Sequence, residues 1–529
     1  MNSQLYSVKN SHHNRKIASI KLEAYKNEIN AGKTQREAAE KLEIARSTLN
    51  GWMDREAKTP YSPSVVICLE SPEGTDFLHR LVVVIQFIVT QVGGCGIRVV
   101  EMILKYSGLS YFVASSYETL RKRGKLMEEF IVNFGEEERS RLAKDMPLKK
   151  ITVAEDETFH PATCLVSMEV VSNFILLEKY ADDRTAKTWN QAMDAATKRL
   201  NVEIFQGVGD EAPALIKHTE SHLGAHHSPD LFHIQNEITK GIGGTLTAQE
   251  NQALKAVKEV EEKQVQSSLK KAKSHLKKCA LQRAKARAAK QSIGHSYHLY
   301  DPYSGKAQTA ENLQKSLENN FDQIESVSQE INLKESGLQK IRKARKMIPS
   351  MVSTLCFCWA LINTMLKPEA LPSSLDKAMR EILIPLEYLK RAKKKAKGAN
   401  SRKKINMAMA VLSKILVEMP EWSHLTQEEK NRLFALAASC ANVFQRSSSC
   451  VEGRNGYLSL RHHGLHHLSD RKLTVLTVIH NFFIKRDDNT TAAERFFEKS
   501  HRDIVEDLVQ KMPYPPRPGK RLEGFKMAA

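Results

Sequence analysis

Only one stretch of this chain reads as β-sheet, and it is short. Residues 149–210 contain ITVAEDETF, CLVSMEVVSNFILLEKY and VEIFQGVGD, runs rich in β-branched and apolar residues. Almost everything else has helical spacing. The fold must therefore be one small sheet set among many helices. Between the second and third runs, Asp183 to Leu200 is helical, with Thr185 near its start and Trp189, Met193 and Ala196 on one side. EAPALIKHTESHL reads as helix, and SPDLFHIQNEITK as a short strand entering a helix. Strands in a run, then helix–strand–helix, give an α/β sheet domain.

Upstream, residues 14–55 read as a small helical unit. Arg15 to Ala31 has helical spacing. Thr34 can cap the next helix, with Glu37 as its capping-box partner. A turn at Glu43-Ile44 leads into Ala45 to Trp52. Helix, tight turn and helix with small residues at the crossing form a helix-turn-helix pattern. Arg46, Ser47, Thr48 and Asn50 are then the side chains expected in the major groove; an ordinary helical hairpin is the bland alternative. After a linker broken by Pro60 and Pro63, a second helical segment contains a Gly108 turn and a helix ending in Arg121, Lys122 and Arg123. It fits a second helix-turn-helix or a bundle packed on the sheet domain equally well.

Downstream of the sheet the pattern breaks for almost two hundred residues. Thr247 to Gln291 reads as one long helix, with twelve Lys/Arg against three Glu between Asn251 and Lys290. A second long helix is expected from about Thr309 to Met347, giving an antiparallel hairpin. More helices follow, with a dense basic loop, KRAKKKAKGANSRKK, over 390–404. The tail, with Pro513, Pro515, Pro516 and Pro518, is expected to be extended or disordered.

The formal net charge of +19 points to a polyanion, nucleic acid before an anionic membrane. The apolar stretches Leu81 to Val92 and Met351 to Leu366 are short of the ~20 residues a bilayer needs and contain polar residues, so both are expected to be buried helices. The first residues lack an apolar export core, so a cytoplasmic location is expected. The eight cysteines include no CxxC pair, which fits reduced thiols rather than a disulfide frame or a cysteine zinc site. No P-loop, G-x-G-x-x-G after a strand, or G-x-S-x-G elbow is present.

Two acids stand out by position. Asp156 lies near the end of the first predicted strand, and Asp210 directly follows VEIFQGVG. Carboxylates at the ends of neighbouring strands can converge. Phosphodiester hydrolysis can use such a cluster to hold two Mg²⁺ ions about 3.5–4 Å apart. Glu155 and Glu157 flank Asp156 but alternate to the other face; Glu211 is the closer competitor of Asp210. Glu452 sits far downstream, at the start of a helical stretch.

ITVAEDETF, FQGVGDEAPALI, PDLFHI and SSCVEGRNGYLSLRHH together resemble the DDE transposases of bacterial insertion sequences. Asp-Glu-Ala-Pro-Ala-Leu resembles the surroundings of that family's second Asp. Asp230 and His233 match its D-x-x-H, and Glu452 to Asn455 its E-x-x-N. The resemblance covers roughly residues 149–240 and 445–500. It implies an α/β ribonuclease-H-like core interrupted by a large all-α insertion, which the N-terminal helix-turn-helix reading places behind one or two helical domains. The expected division is 1–58 (helix-turn-helix), 65–145 (second helical domain), 149–243 (first part of the core), 244–443 (insertion), 444–500 (second part of the core) and 501–529 (tail).

The resemblance also implies roles. Asp156, Asp210 and Glu452 would hold two Mg²⁺ ions, with Mn²⁺ as a substitute. Asp230 and His233 would support the active site. Arg454, Asn455 and Arg461 would face the DNA backbone. The activity would be cleavage at transposable-element ends and strand transfer into target DNA, by a homodimer or larger assembly on the nucleoid. The alternatives are a non-enzymatic DNA-binding derivative and a nuclease without strand transfer. His462, His463, His466 and His467 have i,i+4 spacing that could bind zinc, but Gly464 weakens the helix and DNA contact or packing fits better. Arg461-His462-His463 also resembles an element of tyrosine recombinases. The tyrosine those enzymes need could only be Tyr514, in the proline-rich tail, so that reading is poor.

Overall fold

The computed structural model describes residues 15–57, 60–159, 162–263, 266–465 and 468–518. Three helices, α1 (Arg15–Asn30), α2 (Gln35–Lys41) and α3 (Arg46–Ala57), close on Leu22, Tyr25, Ala38, Ala39, Leu49 and Trp52. Thr34 and Glu37 form the capping box that starts α2. Arg46 and Ser47 are exposed and Thr48 half-exposed. Asn50 departs from its expected outward role. It accepts from the Tyr25 hydroxyl at 3.2 Å and donates to Gln35 at 3.4 Å, so it ties the three helices together.

Next come α4 (Pro72–Gln86), α5 (Ile97–Tyr106) and α6 (Tyr117–Ala143). Arg121, Lys122 and Arg123 lie near the start of α6 rather than at a helix end, and Arg123 is buried.

The sheet contains β1 (Lys149–Phe159), β2 (Thr163–Glu169) and β3 (Ile175–Ala181), then α7 (Ala186–Thr197), β4 (Val202–Gly209) and β5 (His226–Pro229). Thr185 caps α7 by accepting from Thr188 N–H. The strand order is β3-β2-β1-β4-β5. The first three strands are antiparallel, and β4 and β5 run parallel to β1 and to each other.

After α8 (Leu231–Ile238) the chain enters the helical insertion, including α9 (Gly244–Glu262), α10 (Gln266–Ser296), α11 (Ala310–Glu330), α12 (Glu335–Arg345), α13 (Ile348–Leu366), α14 (Ile384–Lys395) and α15 (Ala399–Glu418). Neither long helix runs unbroken. The first folds back at about residue 263 into α9 and α10, which are laced antiparallel by Arg283–Glu250 at 2.6 Å and Lys273–Glu261 at 2.8 Å. The second breaks after α11, where Asn332 adopts a left-handed φ of 50°. The reason is burial: a bundle covers apolar faces of Ile293, Leu313, Phe321, Ile341, Met351 and Leu355 that a lone hairpin would expose. The basic loop is also shorter than expected. Helix extends to Lys395 and resumes at Ala399, around Gly398 at φ 102°.

The chain returns through α16 (Ser449–Leu465) and α17 (Asp470–Phe482), and its last helix among the described residues is α18 (Ile504–Lys511). Ala154, Cys164, Val166 and Ile175 on one sheet face pack against Val451, Leu458, Leu473 and Leu476. Leu165 and Leu177 on the other face pack against Trp189. Asn481 of α17 bonds both the N–H and the carbonyl of Ile175 at the β3 edge, at 2.9 and 3.1 Å. The insertion covers the other edge through His226–Thr354 at 3.0 Å. α6 joins the same body, because Met127, Ile131 and Phe134 share a core with Val478, Ile479 and Phe482. The second helical segment is thus packed as a bundle on the sheet domain.

Over the described residues the tail is extended from Pro513 to Pro518, one of the two expected alternatives, after a helix over 504–511. The extended part lies across the N-terminal helices. Tyr514 stacks on His79 with ring centres 4.3 Å apart, and Arg517 pairs with Glu70 at 2.5 Å and lies over Trp52 at 5.4 Å. Arg502, just before α18, reaches Glu138 of α6. Burial alone would raise the Glu138 carboxyl, but Arg141 and Arg502 outweigh it and hold its pKa down at about 2. A depressed carboxylate stabilises the fold fully above its unfolded pKa, and that stabilisation fades as pH falls toward the folded value. We expect Glu138→Gln to cost on the order of 2 kcal/mol at neutral pH, after discounting for the half-exposed arginines. The urea midpoint of the variant should also depend less on pH between about 4.5 and 2.

Two helical runs, Pro72–Val92 and Glu335–Glu369, are long and apolar enough to cross a membrane. Here each buries one face in a core, through Leu78, Val82 and Phe87 and through Met351, Leu355 and Ile362. All eight cysteines are free.

Candidate metal centre

Strand alternation decides which acids meet. Ala154 and Asp156 of β1 face α16, whereas Glu155 and Glu157 face the other way. Glu155 lies 3.5 Å from His218, and Glu157 accepts from the Trp189 indole at 3.2 Å. α16 enters beside β1 and presents Glu452 in its first turn. Asp156, Glu452 and His233 each offer one ligand atom, and these atoms all lie within 4.8 Å of one another. His233 Nε2 is 3.3 Å from Glu452.

The electrostatics follow from this crowding. Burial, and after it the charge of Glu452, pushes the Asp156 carboxyl up to about 7. The contact with Glu452 raises His233 to about 9 against the cost of burial, helped by Asp230, Asp156 and Asp210. The His233 imidazolium thus sets a positive charge beside the two acids.

The residues around the cluster hold it in register. Asn455, one turn along α16, donates to Asp156 at 2.9 Å across a separation of 299 residues. It therefore faces the acid cluster rather than DNA backbone. Asp230 caps α8 by accepting from Phe232 N–H at 2.9 Å, and it also accepts from Ser448 N–H at 3.2 Å and the Ser448 hydroxyl at 2.7 Å. Fully buried, it joins β5 to the residue preceding α16. Ser448 was missed in the sequence, although a serine just ahead of a helix is a recognisable capping position. We expect Asp230→Ala to weaken Mn²⁺ binding about 10–100-fold, the usual cost of losing a ligand's support. Calorimetric titration of the full chain would show it.

Asp210 stands apart. It directly follows β4, as expected, but is outside the close cluster, and its carboxylate accepts from Ala212 N–H at 3.0 Å. With Glu211, Asp230, His233 and Lys343 it lines an adjoining cavity of about 380 Å³. The assembled set is two carboxylates and an imidazole. It fits one divalent ion, and the imidazole suits Mn²⁺ or another transition metal better than Mg²⁺. Asp210, the third expected ligand, borders this set through the shared cavity rather than joining it.

Two arginines are also corrected. Arg454 is buried and forms a two-bond fork to Glu178 of β3 at 2.7 and 2.6 Å, so it cannot face phosphate. Arg461 bonds the Val92 carbonyl and donates to Tyr457 at 2.8 Å. The Tyr457 ring carries Arg454 at 5.1 Å and Arg461 at 4.9 Å. Sequence reading missed Glu178, the partner that turns Arg454 inward. His462 and His463 join no metal-binding cluster among the described residues, and His466 and His467 lie outside those residues.

Comparison with known proteins adds one match. A family of unknown function, DUF6399, matches residues 379–524. That stretch includes Ser448, Glu452, Arg454 and Asn455 but not Asp156, Asp210 or His233. No curated protein matches the chain.

Proposed function

We propose that this chain is a metal-dependent DNA-cutting and strand-transferring enzyme of the transposase kind. The observation that carries the reading is the convergence of Asp156 and Glu452 across an insertion of some two hundred residues. The resemblance puts the first acid on the first strand and the second after the fourth; Asp156 is on β1 and Asp210 directly follows β4. The net charge of +19 and the exposed Lys270, Lys271, Lys277 and Lys278 along α10 suit a polyanion.

A bound divalent ion would stabilise charge on the phosphate and make water a stronger nucleophile. The chain's own residues prepare that site. Asn455 orients Asp156, Asp230 and Ser448 hold α16 where Glu452 meets it, and His233 balances the two acids. Arg46 and Ser47, exposed at the start of α3, would meet DNA first.

A second reading, a DNA-binding protein that does no chemistry, is favoured by Asp210, which stands outside the close cluster of Asp156, His233 and Glu452. Incubation of the full chain with supercoiled plasmid and Mg²⁺ or Mn²⁺ separates the two. Nicked, linear and joined products support the first; binding without cleavage at any metal concentration supports the second. Hydrolysis without joined products would restrict the enzyme to a nuclease. In a binding titration, Arg46→Ala should weaken affinity and reduce the slope of log affinity against log salt by about one.

A further inference from the structure

A second cavity, about 480 Å³, lies where the insertion meets the returning chain. This is within the size range of small-ligand sites. Arg391 and Lys395 enter from α14, Lys397 from the turn after it, and Arg446 from the segment leading into α16. No carboxylate lines it among the described residues. Arg446 is fixed by donating to the Gly294 and Tyr297 carbonyls, both at 2.6 Å, and Arg391 by the Ala441 carbonyl. Asp301, adjacent in sequence to the lining Pro302, is held by His295 at 3.3 Å.

Four cations facing one space repel one another. The carbonyls at the end of α14 offer only about half a negative charge in return. The N-terminus of α16, opening at Ser449 into the same cavity, adds a further partial positive charge. The surrounding protein, and then Arg391 and Arg446, lower the pKa of Lys395 from the ordinary lysine value. An anion inside would relieve this repulsion.

Position suggests which anion. Ser449 lines the cavity and lies one helical turn before Glu452, and Phe232, also lining it, precedes His233. One turn is about 5.4 Å, and successive nucleotides of a strand are about 3.4 Å apart along the duplex axis. We propose that this cavity binds a backbone phosphate of the DNA strand, one or two nucleotides from the phosphate at Asp156 and Glu452. The assignment rests on the DNA-cutting reading above. A free nucleotide could supply the same phosphate chemistry.

The test uses the full chain and its Lys395→Glu variant, with Lys395→Gln as a milder change should the first fail to fold. Thymidine 5′-monophosphate is titrated by calorimetry, then displaced with a twelve-residue oligothymidylate. A separate anisotropy titration with a random-sequence duplex reports DNA binding in general. We expect the monophosphate to bind, the variants to weaken it about tenfold or more, and the oligonucleotide to displace it. Failure of the monophosphate to bind, or equal binding by the variants, overturns the cavity assignment; the duplex titration then shows separately whether the DNA reading survives. Monophosphate binding that DNA does not displace assigns the cavity to a free small anion and overturns the strand-phosphate proposal.

Discussion

Asp156→Asn should reduce the proposed metal-dependent DNA cleavage by roughly a thousandfold or more while leaving the fold intact. Loss of a metal ligand removes several kcal/mol of charge stabilisation, and each 1.36 kcal/mol is tenfold in rate. The fold should survive because Asn is nearly the same shape and its amide oxygen can still accept from Asn455, which now donates at 2.9 Å. Glu452→Gln should behave alike. Plasmid nicking measured beside thermal melting distinguishes lost chemistry from lost structure. Cleavage at the wild-type rate by either variant would remove the acid pair from the mechanism. Asp210→Asn is the informative third variant. A loss as large as that of Asp156→Asn would mean that Asp210 leaves its turn during catalysis; unchanged cleavage would mean that one ion suffices.

The second large effect concerns stability. The Arg454 and Glu178 side chains retain 4% and 0% of their exposure. Arg454→Ala leaves the Glu178 charge buried with only the Thr477 hydroxyl, at 2.6 Å, to meet it. Breaking such a pair costs about 3–5 kcal/mol, whereas replacing both members by apolar residues is often neutral or stabilising. We therefore expect Arg454→Ala to lower the urea midpoint sharply and the double variant Glu178→Leu, Arg454→Met to recover most of it. In the double variant the Thr477 hydroxyl turns its hydrogen to the Leu473 carbonyl, 3.0 Å away. If Arg454→Ala instead left stability unchanged and weakened DNA binding, the arginine would be acting at the surface.

This pair shows where sequence reading stops. Local signals were legible: the strand runs became β1 to β4, and Thr34, Glu37 and Thr185 capped the expected helices. Alternation along β1 put Asp156 opposite Glu155 and Glu157 because it needs only the neighbouring residues. The facing of α16 is different. Which of Glu452, Arg454 and Asn455 points inward depends on partners in β1 and β3, nearly three hundred residues earlier. The fold-back near residue 263 was also hidden, since the sequence there has neither proline nor glycine and the turn is imposed by packing. The proline-rich tail read as extended or disordered, because composition shows nothing of the Tyr514 and Arg517 contacts that decide between the two.

The 299-residue separation of Asp156 and Asn455 also governs how the chain matures. At roughly 5–20 residues per second, a ribosome needs about 15–60 s to travel from one to the other. The helices of the insertion share a core of their own, running from Leu231 to Phe444. They can condense while β1 to β5 wait for α16 and α17. Throughout that interval Ala154, Val166 and Ile175 lack their cover. The nascent sheet is thus the segment most in need of a chaperone, and the acid pair is completed only late in synthesis.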